Sequence, residues 1–283
     1  MIRTRIRRDM KISISSFVYF NYPLKEAIKR ISMCGYKGIE IWGGRPHAYR
    51  NDLADDEISD LRALLEKLSL EISAFIPAQF RYPTSLCSPS SRIREDSISY
   101  IKDSISTSLK LGCHKVSICP GHTLYGQGYE NGMEQLSESI RELHRFAHDD
   151  GVILLIEPAH RYESDLILTV KDGVDFISKL GLDNLGIAMD TGHCYVNNES
   201  LVECVSLLKG LPYHIHIDDN LGTSDDHKIP GEGKIDFLPF LRELKRSDYN
   251  GFLTVELGWN YTQEPDPAAK KSRQKIESLL QAV

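Results

Sequence analysis

The sequence predicts an α/β protein built as a single (β/α)8 barrel with a parallel eight-stranded sheet. Three observations carry this expectation. Short β-branched runs alternate with longer stretches of helical period from one end of the chain to the other, and eight such pairs can be counted. Most of the short runs are near-continuously apolar, as parallel strands covered on both faces must be. No linker or low-complexity stretch divides the 283 residues, and single barrels of this kind run to about 250 residues. An open doubly wound sheet is the competing architecture, but no G-x-G-x-x-G follows the first strand.

Taken in order, the strands are expected at 11–17, 38–42, 71–75, 115–118, 152–157, 185–190, 213–218 and 251–257. Helical patterns between them include 24–33, 57–67, 94–111, 133–149, 170–180 and 237–246. Several helices end alike. The segments MCGYKGIEI, LKLGCHKVSI, HDDGVILLIE and SKLGLDNLGIAMD each put a glycine where a helix C-cap turns into the next strand. Residues 1–9, with arginines at 3, 5, 7 and 8 and no long apolar run behind them, read as a flexible N-terminal tail rather than a signal peptide. Residues 10–283 read as the catalytic domain.

Composition excludes several classes. At 41% hydrophobic and 26% charged residues the chain is an ordinary globular protein with a sizeable core. Its net charge of −6 lacks the basic field that non-specific binding to a phosphate backbone needs, which disfavours nucleic acid as a partner without excluding it. No run approaches the roughly 18 apolar residues of a membrane span. The six cysteines include no C-x-x-C pair and are scattered along a chain too large to need stapling, so they read as reduced thiols and the protein as cytoplasmic.

In a barrel the active site is assembled at the carboxyl ends of the strands, so a polar residue that closes an apolar run is informative. Four consecutive strands end this way. VILLIEP delivers Glu157, LGIAMDTGH delivers Asp190 with His193 three residues on, YHIHIDD delivers His216, and GFLTVEL delivers Glu256. Three converging carboxylates would repel one another and resist ionisation, whereas a divalent cation reverses that. Oxygen-rich ligation with one imidazole suits Mn2+ first, with Co2+, Mg2+ or Zn2+ as alternatives. His214 is expected to face away from His216 and pack under a helix. Glu40, which also ends an apolar strand, is expected in a structural ion pair. The loop SDDHKIPGEGK, with glycines that permit a tight turn, could bring Asp225 and His227 over the rim.

These residues resemble the xylose-isomerase-like superfamily of TIM barrels, which includes sugar isomerases and epimerases and the type IV apurinic endonucleases. The likeness runs over nearly the whole chain from Met10. Within that superfamily, GYKGIEIWGGRPHAY and SDDHKIPGEGK look like the fructoselysine 3-epimerase group. The resemblance implies a divalent-metal site of Glu157, Asp190, His216 and Glu256, with Glu163 and His193 binding substrate. An arginine that tagatose-type epimerases carry six residues after the metal histidine is Gly222 here. Where the repair enzymes place a histidine ligand at the end of the fourth strand, this chain has Cys119.

The expected reaction is inversion at C3 of a ketose or ketosamine, of the fructoselysine type, through an enediolate. Glu157 and Glu256 would act as acid and base on opposite faces of C3, because inversion needs a proton removed on one side and returned on the other. Trp42 and the GGRPH loop would cover the sugar tail, and Asp225 and His227 would contact substrate. The partners expected are the small-molecule sugar and further copies of the chain, as a dimer or tetramer. An aldose–ketose isomerase or dehydratase on the same site, and an abasic-site endonuclease with a reduced zinc site, are the alternatives.

Overall fold

The computed structural model describes residues 10–79 and 84–283; the tail expected at 1–9 lies outside them. Eight parallel strands close into a barrel in chain order. They are β1 (Lys11–Ser15), β2 (Gly38–Gly43), β3 (Glu71–Pro77), β4 (Lys115–Ile118), β5 (Ile153–Ile156), β6 (Leu185–Asp190), β7 (Tyr213–Ile217) and β8 (Phe252–Val255). Pairing of Ile14 with Val255 completes the ring.

The outer layer runs through α1 (Leu24–Met33), α2 (Asp55–Lys67), α3 (Ser91–Leu111), α4 (Tyr129–Ala147) and α5 (Val170–Leu180). It continues with α6 (Thr191–Val196), α7 (Leu201–Leu207), α8 (Phe237–Arg246) and α9 (Pro265–Gln281). Two of the four expected glycine caps are present: Gly112 and Gly181 sit at the C-caps of α3 and α5 in the left-handed region, φ +86° and +62°. By contrast, α1 and α4 are capped by Cys34 and His148, with Gly35 and Gly151 following at positive φ. Between β6 and β7 the chain makes two short helices. Asp190 itself caps α6 by accepting from the His193 amide, and Ser200 caps α7. The final α9 closes the ring, and Tyr36 on the loop into β2 donates to the Ala269 carbonyl at 2.8 Å.

The apolar core, from Tyr19 and Ile28 through Tyr100 to Phe240, lies between strands and helices. The bore of the barrel is different: it carries a hydrogen-bonded polar layer. Thr254 of β8 meets Ser13 of β1 at 2.5 Å, His214 of β7 at 3.0 Å and Ser73 of β3 at 3.4 Å. His214 in turn lies 3.2 Å from Glu40 of β2. This corrects the expectation that His214 packs under a helix. Side chains alternate across a strand with a period of two, so residues 214 and 216 share a face. Both point inward.

A bulge in the β2–β3 pair, where Ile39 faces Ile72 but Glu40 faces Ala74, sits beside this layer. The β6–β7 pair is tight by contrast: a Cβ on Gly186 would come within 2.3 Å of the Pro212 carbonyl oxygen and 2.9 Å of Leu155. Backbone cannot yield there. Gly186→Ala is therefore expected to cost about 1–3 kcal/mol of stability through overpacking, read as a lower urea midpoint; an unchanged midpoint would show that the strands can part.

Candidate active site

His216 ends the inward face of β7, fully buried, and both of its ring nitrogens meet carboxylates. On the barrel side Nε2 is 2.9 Å from Glu40 Oε1. On the rim side Nδ1 lies 2.9 Å from Glu157 Oε1, 3.1 Å from Glu256 Oε2 and 3.9 Å from Asp190 Oδ2. Glu157 follows the last residue of β5, Asp190 ends β6 and Glu256 follows β8. The four residues read from the strand ends thus come together at one point. Glu40, expected in a structural ion pair, does form one, and its partners are His216 and His214.

The electrostatics follow from the crowding. Burial would push the His216 ring down, yet Glu40, Glu256 and Glu157 carry it well above the usual imidazole range. Burial would raise Glu157 and Glu40, but the His216 charge and its hydrogen bonds, shared for Glu40 with His214, hold both below the usual carboxylate range. Glu256 goes the other way. Burial, with Glu157 and Glu40 as like charges, outweighs His216 and His227 and pushes it up to about 8.

This donor set fits a divalent cation. Asp190 Oδ2 is buried without a hydrogen-bond partner, while Oδ1 accepts from the His193 amide at 2.8 Å. A buried carboxylate oxygen left unpaired is costly unless a cation takes it. Ligands about 2.1 Å from a small hard cation are about 3 Å apart along an octahedral edge, close to the 2.9 and 3.1 Å spacings at Nδ1. Donation from Nε2 to Glu40 would fix the ring tautomer with Nδ1 free to bind, the arrangement in which an outer carboxylate orients a metal-ligating histidine.

A second cluster adjoins the first. The Asp225 carboxylate Oδ2 lies 2.6 Å from His227 Nε2, 3.2 Å from His160 Nε2 and 3.5 Å from His193 Nε2. Burial alone would raise Asp225, but His227 and His193 hold it well below its ordinary range. His193 is oriented from behind by the Pro158 carbonyl at 3.0 Å, and His227 Nδ1 lies 3.1 Å from Asp218 Oδ2. Burial beside Asp190 pushes Asp218 up to about 7. Glu163 reaches His160 at 3.9 Å, and burial raises its pKa.

Two local features make this possible. A Cβ on Gly192 would strike both Asp218 carboxylate oxygens at 2.5 and 2.7 Å, so only glycine lets α6 approach β7 so closely. The loop carrying Asp225 and His227 is pinned by buried Asp219, whose carboxylate accepts from the amides of Asn220, Gly231, Gly233 and Ile235 at 2.8–3.0 Å.

The other half of the rim has a different character. Trp42 is packed edge-on against Phe17 with ring centroids 5.3 Å apart and tilted against Phe20 at 5.6 Å. Trp259, 60% exposed, completes the group against Phe17 and Phe20. A narrow cleft of about 30 Å³ is lined by Gln79, Thr84, Ser85, Cys119 and Glu163. Cys119 faces Glu157 with its thiol 3.8 Å from Oε2, and burial with the charges of Glu157, Glu163 and Glu256 raises its pKa well above the thiol range.

The profile of the Xylose isomerase-like TIM barrel family matches residues 28–281. The chain belongs to that family. Among xylose isomerase-like relatives, the fructoselysine 3-epimerase of Shigella flexneri is 30% identical over 271 residues, 96% of this chain and 98% of its own. A D-psicose 3-epimerase of Ruminiclostridium cellulolyticum is 24% identical over 243 residues, 82% and 77% of the two chains. The crystal structure of a D-tagatose 3-epimerase-like protein shares the fold, with a TM-score of 0.83 at 24% identity, covering 97% of this chain and 98% of that one. The relatives named support a carbohydrate epimerase or isomerase. Among the described residues, no helix is long and apolar enough to cross a membrane.

His160 closes no apolar run and Asp218 follows a strand end already marked by His216, so neither carries a strand-end signal of its own. Each sits inside a segment already quoted, EPAHRYE and YHIHIDD, where a second ionisable residue within three of a rim position was the available signal. Replacing Glu40 by Gln removes the carboxylate behind His216 while keeping its shape. Divalent-cation affinity measured by calorimetry is expected to fall on the order of 10–100-fold with the circular dichroism spectrum unchanged; undiminished affinity would reduce Glu40 to a packing role.

Proposed function

We propose that this protein is a divalent-metal-dependent sugar epimerase that inverts C3 of a ketose or ketosamine of the fructoselysine type. The observation that carries the proposal is the placing of two carboxylates, Glu157 and Glu256, against the same nitrogen of His216 from strands separated by β6 and β7. The 30% identity to a fructoselysine 3-epimerase over 96% of the chain supports the choice of substrate class.

The chemistry sets the requirements. A proton on the carbon next to a ketone is weakly acidic, and its removal leaves an enediolate whose charge needs a fixed counter-charge. A divalent cation held by Glu157, Asp190, His216 and Glu256, with Mn2+ the first choice, would supply that charge. Glu157 and Glu256 then divide the proton transfer: one removes the C3 proton from one face, and the other returns a proton from the opposite face. A single base would return the proton to the side it came from.

Holding the sugar falls to the second cluster. His193, Glu163, Asp225 and His227 present imidazole and carboxylate groups suited to hydroxyls near C1 to C3. Because three imidazole nitrogens gather 2.6–3.5 Å from one Asp225 oxygen, the rings are crowded into place before substrate arrives, which lowers the ordering cost of binding. Trp42, with Phe17, Phe20 and Trp259 around it, offers an apolar wall for the sugar's far end or an alkyl tail.

NMR of the Mn2+-loaded protein with fructoselysine and with fructose in D2O tests the reading. Deuterium should enter at C3 as the C3 epimer appears; an aldose product, or no exchange with either sugar, would overturn it. Glu157→Gln and Glu256→Gln are each expected to lower exchange by at least about a thousandfold while the fold survives, and wild-type exchange in either variant would remove that residue from the proton path. Asp225→Asn should weaken substrate binding on the order of tenfold, seen as a raised KM, and an unchanged KM and kcat would return the loop to a structural role.

A further inference from the structure

At the opposite end of the barrel, a group of side chains takes no part in the rim chemistry. His144 and His148 lie one turn apart at the end of α4, and Asp183 stands on the turn between α5 and β6. The imidazole ring centroids lie 5.1 Å apart, with the ring planes tilted by 49°. Both aim Nε2 at one carboxylate oxygen: His144 Nε2 is 3.1 Å and His148 Nε2 3.4 Å from Asp183 Oδ1. The Asp183 backbone carbonyl lies 3.0 Å from His144 Nε2 as well. Histidines at i and i+4 share a helix face, the spacing by which a helix offers two imidazoles to one ion.

From this juxtaposition we infer that His144, His148 and Asp183 form a second metal site, on the amino-terminal face, for a borderline divalent cation such as Zn2+. Three arguments carry it. Ligands about 2.0–2.1 Å from a tetrahedral Zn2+ are about 3.3 Å apart, and the two nitrogen-to-carboxylate spacings are 3.1 and 3.4 Å. All three ligand atoms lie within 4.8 Å of one another, so a small ion reaches them with little movement. Behind His148, Asp149 Oδ1 is 3.1 Å from Nδ1; donation there leaves the Nε2 lone pair for the ion, with the carboxylate acting as the outer group that fixes the tautomer.

The choice of ion follows from the donors and their exposure. Two imidazoles with one carboxylate suit Zn2+ better than the oxygen-seeking Mg2+ or Ca2+. His144 is nearly buried, while His148 and Asp183 are 42% and 71% exposed, which gives the ion an open entry and leaves a coordination position to water. Without an ion the same atoms are joined by hydrogen bonds from the ring nitrogens, so the cation would replace protons rather than rebuild the turn. Bound there, it would tie the end of α4 to the turn entering β6.

Zn2+ titration of the full chain by calorimetry, with His148→Ala and Asp183→Asn compared to wild type, tests the site. Wild type should bind one equivalent more than either variant, or bind that equivalent at least tenfold more tightly. Zn2+ should also raise the thermal midpoint of wild type by more than that of His148→Ala. His216→Ala separates this site from the rim, since it should keep the His148-dependent equivalent. Equal stoichiometry, affinity and thermal response in wild type and His148→Ala would overturn the inference and leave His144 and His148 as hydrogen-bond partners of the turn.

Discussion

A buried imidazole held between carboxylates at both nitrogens fixes the carboxyl rim. His216 has no solvent around it, so its contacts with Glu40 below and with Glu157 and Glu256 above are made at low dielectric, where each is strong and each is expensive to break. Removing one partner from such a buried charged group costs about 3–5 kcal/mol. Four acidic residues on four strands thereby become one unit, and the strands that carry them are held in register by side chains as well as by the ladder. The unit is still short of positive charge. One buried imidazole faces Glu40, Glu157, Asp190 and Glu256, which is why Glu256 is driven towards its neutral form and Asp190 Oδ2 lacks a partner.

The same interaction explains the polar bore beneath. Glu40 can hold His216 in one orientation only if Glu40 is itself held, and His214 does that from the layer below, where its Nε2 also meets Thr254, which in turn meets Ser13 and Ser73. A hydrogen-bonded column thus runs from the interior of the barrel to the rim. Apolar filling would pack as densely, but it would leave the back of His216 without a partner.

Much of this was legible in the sequence, and the parts that were not have physical reasons. Three of the strand-end acids and His216 could be read because each closes an apolar run, and a polar residue there must face the rim or pay for burial. Helices 24–33, 170–180 and 237–246 match α1, α5 and α8 residue for residue, since strong periodicity and a cap or strand junction bounded each. The paired helices α6 and α7 escaped because they are too short to establish a period. His214 stands two residues before His216, a spacing that keeps both side chains on one face of the strand. The same spacing carries a signal: Ser117 precedes Cys119, His214 precedes His216 and Thr254 precedes Glu256, so a small or polar residue two places before a rim group marks the inward face. The Asp225 cluster depends on a loop returning from β7, and only the fold brings His160 and His193 to it.

The split between an ionisable half-rim on β5 to β8 and an aromatic and small-polar half beyond it bears on how such a protein can diverge. Substitutions among Phe17, Phe20, Trp42 and Trp259 alter shape and apolar area without touching a charge, so each can be tried and retained singly. Change on the other side must be concerted, because the ionisable groups there set one another's charge state. On the function proposed above, single substitutions on the aromatic side could change the sugar accepted, while the proton chemistry could change only in concert, and Glu40, the one acid rooted in β2, belongs with that concerted half.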